Sequence, residues 1–237
     1  RRPDHLDPLG VDTLWLAPFQ PSPDRDDGYD ISDYYGVDRR YGSSGDFVEF
    51  MREARKRGMK VVIDLVVNHT SDRHPWFQEA RRDPESRYRS WYVWSPRRPK
   101  QWKTGMVFPG HQKSTWTYDK AARAWYFHRF FPFQPDLNAA NPEVREEIHR
   151  IMGFWLELGV AGFRLDAVPF IMELTDPGRA TGPKDFELLY ELHRFTKLRV
   201  GDAVLLGEAN VPPGEQIDFF GRRGEGLQMM FNFWVNQ

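Results

Sequence analysis

Cysteine is absent from this chain, which excludes disulfides and thiolate chemistry alike. No apolar run is long enough to cross a bilayer, and no signal-peptide pattern opens the sequence, so the expected setting is cytoplasmic. Charge of one sign is lacking too. The net value is -1, from 33 basic and 34 acidic residues, which removes the bulk electrostatic case for nucleic acid or an anionic membrane. Internal repeats and low-complexity tracts are missing as well. What remains is a 237-residue chain, 40% hydrophobic and 28% charged, with enough length to bury a sizeable core. It is rich in rings, with nine Trp, nine Tyr and 18 Phe. Flat rings suit a sugar site, where they stack on apolar pyranose faces, but aromatics are first of all core residues.

Short buried strands and amphipathic helices alternate along much of the chain. Asp12 to Pro18 reads as a strand, followed by a loop dense in Pro, Asp and Gly. Asp46 to Arg57 reads as a helix, with Ser43 and Asp46 as a capping pair and Gly58 as its stop. Lys60 to Val67 is a strand too apolar to have a wet face, as in parallel sheets. Asn141-Pro142 opens a second helix, whose stripe is Val144, Ile148, Ile151, Trp155 and Leu158. A strand around Asp166, a helix over 185–199, and strands at 204–206 and 227–233 follow. This order predicts an α/β protein with a parallel sheet. From about Thr70 to Leu137 the rhythm fails, and six of the nine tryptophans sit there, so an inserted unit with its own core is expected.

The chemistry gathers at the downstream ends of the predicted strands: Asp64, Asn68 and His69 on one, Arg164 and Asp166 on the next, Glu208 on a third. Arg164 and Asp166 are two residues apart on a strand and so share a face. The guanidinium is expected to lower the Asp166 pKa and keep a nucleophilic carboxylate charged. Taken alone, Arg-x-Asp reads more plainly as a structural ion pair. Glu208, among Leu205, Leu206 and Ala209, is expected to have a raised pKa and act as an acid, the division of labour a glycosidase needs. Metal-dependent hydrolysis through His69 and Asp64 competes, weakened by there being only one histidine.

Asp64-Leu-Val-Val-Asn-His69, Gly162-Phe-Arg-Leu-Asp166 and Leu206-Gly-Glu208, in that order, resemble the α-amylase family, glycoside hydrolase family 13. The segment Gln134-Pro-Asp-Leu-Asn138 and the loop Arg25-Asp-Asp-Gly-Tyr-Asp30 add to the likeness. The run His128 to Phe131 and Asp166-Ala-Val-Pro169 look most like the trehalose synthase branch. The resemblance implies a (β/α)8 barrel. Residues 1–69 and 138–237 would form about strands two to six, and 70–137 an inserted domain. The first strand and a third catalytic carboxylate would lie outside this stretch, leaving a fragment inactive by itself.

The resemblance also implies roles. Asp166 would be the nucleophile, Glu208 the acid/base, and Arg164 the residue that holds Asp166. Asp26, Tyr29, His69 and Gln134 would contact a bound glucose. Asp64 more plainly braces the Arg164 network than touches substrate. Asn68, Asp136 and Glu173, with the carbonyls of Phe170 and Ile171, match a structural calcium site, and oxygen-only ligands suit Ca²⁺. No organic cofactor is implied. Partners would be small α-linked glucosides such as maltose or trehalose, or short α-glucans. Two stretches, Thr175 to Pro183 and Phe231 to Gln237, depart from the trehalose synthase pattern. A non-catalytic, amylase-like binding module is the rival from a different class. It is disfavoured because such modules typically lose a catalytic carboxylate, and both are present here.

Overall fold

Each strand runs only a few residues, and the central ones are almost wholly buried. The computed structural model describes residues 6–173 and 184–236; the departing segment Thr175 to Pro183 lies outside the described residues. In chain order the strands are β1 (Thr13–Leu16), β2 (Lys60–Leu65), β3 (Trp94–Ser95), β4 (Trp116–Asp119), β5 (Ala124–Phe127), β6 (Gly162–Leu165), β7 (Val204–Gly207) and β8 (Met229–Met230). The helices are α1 (Ser44–Lys56), α2 (Pro75–Arg82), α3 (Pro142–Glu157), α4 (Val168–Ile171), α5 (Phe186–Arg199) and α6 (Pro213–Phe220).

Strands β1, β2, β6, β7 and β8 pair in that order, all parallel, into one five-stranded sheet with helices between successive strands. This is a partial arc of a (β/α)8 barrel. The register sets Asp64 beside Arg164 and Arg164 beside Leu206, bringing the polar residues to one end. Close approach of β6 and β7 needs Gly162, since a Cβ there would lie 2.2 Å from the Val204 carbonyl oxygen.

The predicted helix signals operate as read. Ser43 Oγ accepts the Asp46 N–H at 3.2 Å, and Asp46 Oδ2 accepts the Ser43 N–H at 2.8 Å. Asn141 caps α3, Pro142 starts it, and Gly58 and Gly159 take left-handed conformations beyond α1 and α3. The core is continuous: Phe19 packs on Phe47 and on the edge of Trp155, and Val61, Ile63, Phe163 and Leu205 fill the sheet layer.

The 70–137 segment is more ordered than its sequence suggested. It opens with α2 and then forms an antiparallel sheet, β3-β5-β4. Its separate core is small, limited to Val93, Trp116 and Phe127 with Trp102 and Trp125 against them. Phe77, Trp91, Tyr92 and Tyr126 instead join the main core. The rings on the inner face of the small sheet meet α2, which extends the barrel's own apolar layer. No helix among the described residues is long and apolar enough to cross a membrane.

Candidate active site

Arg164 organises the site. Its Nη1 lies 2.5 Å from Asp64 Oδ1 and 2.7 Å from Asp166 Oδ1, and its Nη2 lies 2.8 Å from Glu208 Oε2. Nη1 also donates to the Tyr29 hydroxyl at 3.3 Å. One buried guanidinium thus gathers three carboxylates from β2, the end of β6 and the end of β7. The expectation that Arg164 and Asp166 project together holds in the structure. So does the reading of Asp64 as a brace, since its second oxygen accepts the Trp15 indole N–H at 3.0 Å.

The environments of the two reactive carboxyls differ from the sequence expectation. Asp166 is 6% exposed, whereas the Glu208 side chain is 35% exposed. Burial pushes the Asp166 carboxyl up; Arg164 pulls it down, while Glu208 and Asp64 push it further up. Arginine was expected to win that contest. It does not, because three carboxylates share one guanidinium and cannot all be ionised cheaply out of water. The Asp166 and Glu208 carboxyls are brought together on the two Nη atoms of Arg164. Asp64 is pushed up to about 6 by burial, against the pull of Arg164 and Trp15.

Backbone geometry supports the pair. Ala167, directly after Asp166, sits in the left-handed region at φ 53°. Its N–H donates to Glu208 Oε2 at 3.4 Å. A non-glycine residue held there is strained, and such strain clusters where backbone must be aimed. The Asp166 and Glu208 amides donate to Leu65 and Leu165 across the strand ends, which fixes both side chains' origins.

A second polar group lies beside the first. His69 Nε2 is 3.0 Å from the Tyr29 carbonyl oxygen and donates to it, while the Asn68 amide lies 3.3 Å from Nδ1. Burial pushes His69 down to about 4, so the ring is neutral. Gln134 Nε2 donates to Asp26 Oδ2 at 2.7 Å and lies 3.2 Å from His69 Nε2. Asp26, half-buried, is raised by burial. Asp26, Tyr29, His69, Gln134 and Arg164 are therefore one connected group, and they offer a sugar several donors and acceptors at fixed positions.

Asn68, Asp136 and Glu173 also converge, around Arg129. Asp136 accepts the Arg129 backbone N–H at 2.7 Å and a hydrogen bond from Asn68, and Arg129 Nη2 is 2.5 Å from Glu173 Oε2. Asp136 is buried, its carboxyl pushed up to about 7, and it makes no ion pair among the described residues. Asn68, Asp136 and Glu173 supply oxygens of the kind a hard cation such as Ca²⁺ takes, and Arg129 supplies the positive charge among them in this structure. Among the described residues no group of three His, Asp or Glu side chains is placed to hold a metal, so His69 and Asp64 do not form the hydrolytic metal site weighed above.

Three residues escaped the sequence reading: Trp15, which touches Asp64; Arg129, which pairs with Glu173; and Phe130, whose ring lies edge-on to His69 at 5.3 Å. Phe130 stands in the His128 to Phe131 run, so motif position pointed to it without assigning a contact.

Comparisons with known proteins place the chain in a family. The α-amylase catalytic-domain model matches residues 2–237. The trehalose synthase of Thermus thermophilus is 47% identical over 234 residues, 98% of this chain and 24% of that protein. The oligo-1,6-glucosidase of Parageobacillus thermoglucosidasius is 41% identical, over 97% of this chain and 44% of that protein. The trehalose-6-phosphate hydrolase structure from Bacillus licheniformis superposes with a TM-score of 0.88 at 35% identity, covering 98% of this chain and 44% of that one. The chain therefore spans less than half the length of each of these relatives. By its matched catalytic domain, its barrel strands and its ordered motifs, this chain belongs to the α-amylase family.

Proposed function

We propose that this chain carries the reactive centre of a retaining α-glucoside-acting enzyme that rearranges maltose and trehalose as a trehalose synthase does. The observation that carries the reading is the Asp166–Glu208 pair: two carboxyls from adjacent strand ends, both held by Arg164. Carboxyls gathered on one guanidinium suit double displacement, which uses the closer pair, better than inversion. The reaction needs Asp166 as the charged nucleophile and Glu208 as the proton donor. Asp166 then attacks the anomeric carbon while Glu208 protonates the departing oxygen. In the second step Glu208 takes the proton of the acceptor hydroxyl, whose oxygen bonds the anomeric carbon as the glucosyl–Asp166 bond breaks. Asp26, His69 and Gln134 hydrogen-bond the sugar hydroxyls, and Tyr29 stacks beneath the ring. The 70–137 segment is an inserted domain that walls this pocket, since Gln134 reaches Asp26 from its far end.

Ca²⁺ at Asn68, Asp136 and Glu173, with the Phe170 and Ile171 carbonyls, would brace the junction between the insertion and β6 without touching the reaction. Stripping it with a chelator should lower the melting temperature by about 5–10 °C, and added Ca²⁺ should restore it. No shift would remove calcium from the assignment.

The test of function uses the full-length natural protein with maltose, products followed by NMR, and Asp166→Asn beside it. Trehalose with little free glucose supports the isomerase reading. Glucose alone makes the protein a hydrolase, a reading the oligo-1,6-glucosidase relatives also support. No turnover of either sugar overturns both.

A further inference from the structure

Trp15 stands on β1, outside every motif discussed above, yet it makes two contacts with the catalytic network. Its Nε1–H donates to Asp64 Oδ2 at 3.0 Å, and its ring centroid lies 5.4 Å from Arg164 Cζ. The Phe231 ring packs against it at 5.7 Å. Asp64 has two oxygens, and the structure uses them for different tasks. One binds Arg164 Nη1 and the other is held by Trp15. A carboxylate gripped at both ends cannot rotate, so the guanidinium it holds is fixed in plane, with the same Nη1 turned to Asp166 and Nη2 to Glu208.

Resting on the functional reading above, we propose that Trp15 is a positioning residue, which sets the direction of Arg164 by clamping Asp64 and thereby places the nucleophile and the acid/base. A polar clamp of this kind also sets charge. The groups acting on Asp64 are Arg164 of β6, Trp15 of β1 and Glu208 at the end of β7; Tyr29 and Asp166 face the same guanidinium. Losing the indole N–H lets Asp64 take up its proton at higher pH. A neutral Asp64 stops competing for Arg164, and Asp166 then ionises more readily.

The test compares wild type, Trp15→Phe, Asp64→Asn and the double variant in the full-length natural protein. Trp15→Phe should lower kcat about ten- to a hundred-fold, the scale of one hydrogen bond to a charged group. KM should change less than kcat, since Trp15 reaches the sugar-facing group only through Arg164. The acid limb of the pH profile should move to lower pH in Trp15→Phe and in Asp64→Asn alike. The double variant should be little worse than Asp64→Asn alone, because residues acting through one partner are not additive. Trp15→Tyr, which keeps a ring and loses the N–H, repeats the comparison if Trp15→Phe fails to fold. Wild-type kcat in Trp15→Phe, an unmoved acid limb, or additive losses with Asp64→Asn would each overturn the proposal. A separate arm needs no turnover: in indole-¹⁵N-labelled protein the Trp15 N–H resonance should titrate near pH 6 and cease to do so in Asp64→Asn. If the wild type turns over no α-glucoside, the functional reading falls, and this resonance still decides whether Trp15 holds Asp64; a Trp15 N–H signal that Asp64→Asn leaves unmoved refutes the clamp.

Discussion

On the five-stranded sheet, Asp64, Arg164 and Asp166 lie buried in an apolar layer, each touching another charge. Around the three-stranded sheet the pattern reverses. Residues 95–131 carry eight lysines and arginines against one acidic residue, Asp119. Arg129 is buried and paired, while Arg97, Arg98, Lys100, Lys103, Lys113, Lys120 and Arg123 are exposed, with no ion pair among the described residues. A near-zero net charge therefore conceals a basic insertion on an acidic body. The difference teaches where charge is costly. In the parallel layer removing one partner strands the others out of water, whereas on the insertion each cation is solvated and nearly independent.

The largest effect should come from Asp166→Asn, which removes the nucleophile and should cut turnover of maltose by three orders of magnitude or more. Near-normal turnover would reduce Arg164 and its carboxylates to a structural cluster. Next is a pair of cavities. Phe77 projects from α2 and is buried against the rings of Tyr92, Trp94 and Tyr126, in the core that runs on into the barrel. Phe77→Ala should cost about 3–5 kcal/mol in urea unfolding, and the whole chain should still unfold in one transition. Trp102→Ala, in the small separate cluster, should cost about 1–2 kcal/mol. A separate early transition of the insertion in Phe77→Ala would show that the two sheets do not share a core.

Asp64 gives a smaller and pH-dependent effect. Burial raises its folded-state pKa to about 6 from the ordinary carboxylate value. Folding therefore takes up a proton between roughly pH 4 and 6, and this contribution to stability is lost as pH rises through that window. Asparagine cannot titrate. The melting temperature of Asp64→Asn relative to wild type should thus rise from pH 4 to pH 7, even as activity falls. A difference that is flat with pH would mean Arg164 keeps Asp64 ionised throughout. Least affected should be a variant with Arg97, Arg98, Lys100, Lys103, Lys120 and Arg123 changed to glutamine. Stability should move by less than about 0.5 kcal/mol per site and turnover by less than about two-fold. A larger change would mean the insertion's charges reach the site.

The residues that announced themselves were those whose partners are close in sequence. Ser43 and Asp46, Asn141 and Pro142, and Arg164 with Asp166 each follow from one helical turn or one strand repeat. Trp15 and Asp64 are 49 residues apart, and Arg129 and Glu173 are 44 apart, so no local period could join them. Helix α2 was missed because its eight residues are too short to show a periodic stripe beside so many rings.

Sequence by itself determined the alternation of strand and helix and the face that Arg164 and Asp166 share, because these depend on backbone periods of 2 and 3.6 residues. Ordered motifs placed the chain in its family for the same reason: they are local. The tertiary structure alone decided which carboxyl is buried, which side chain clamps Asp64 and how far the insertion's core merges with the barrel's. Those depend on how many carboxylates one guanidinium must serve and how much water they lose, quantities that exist only once distant strands have paired.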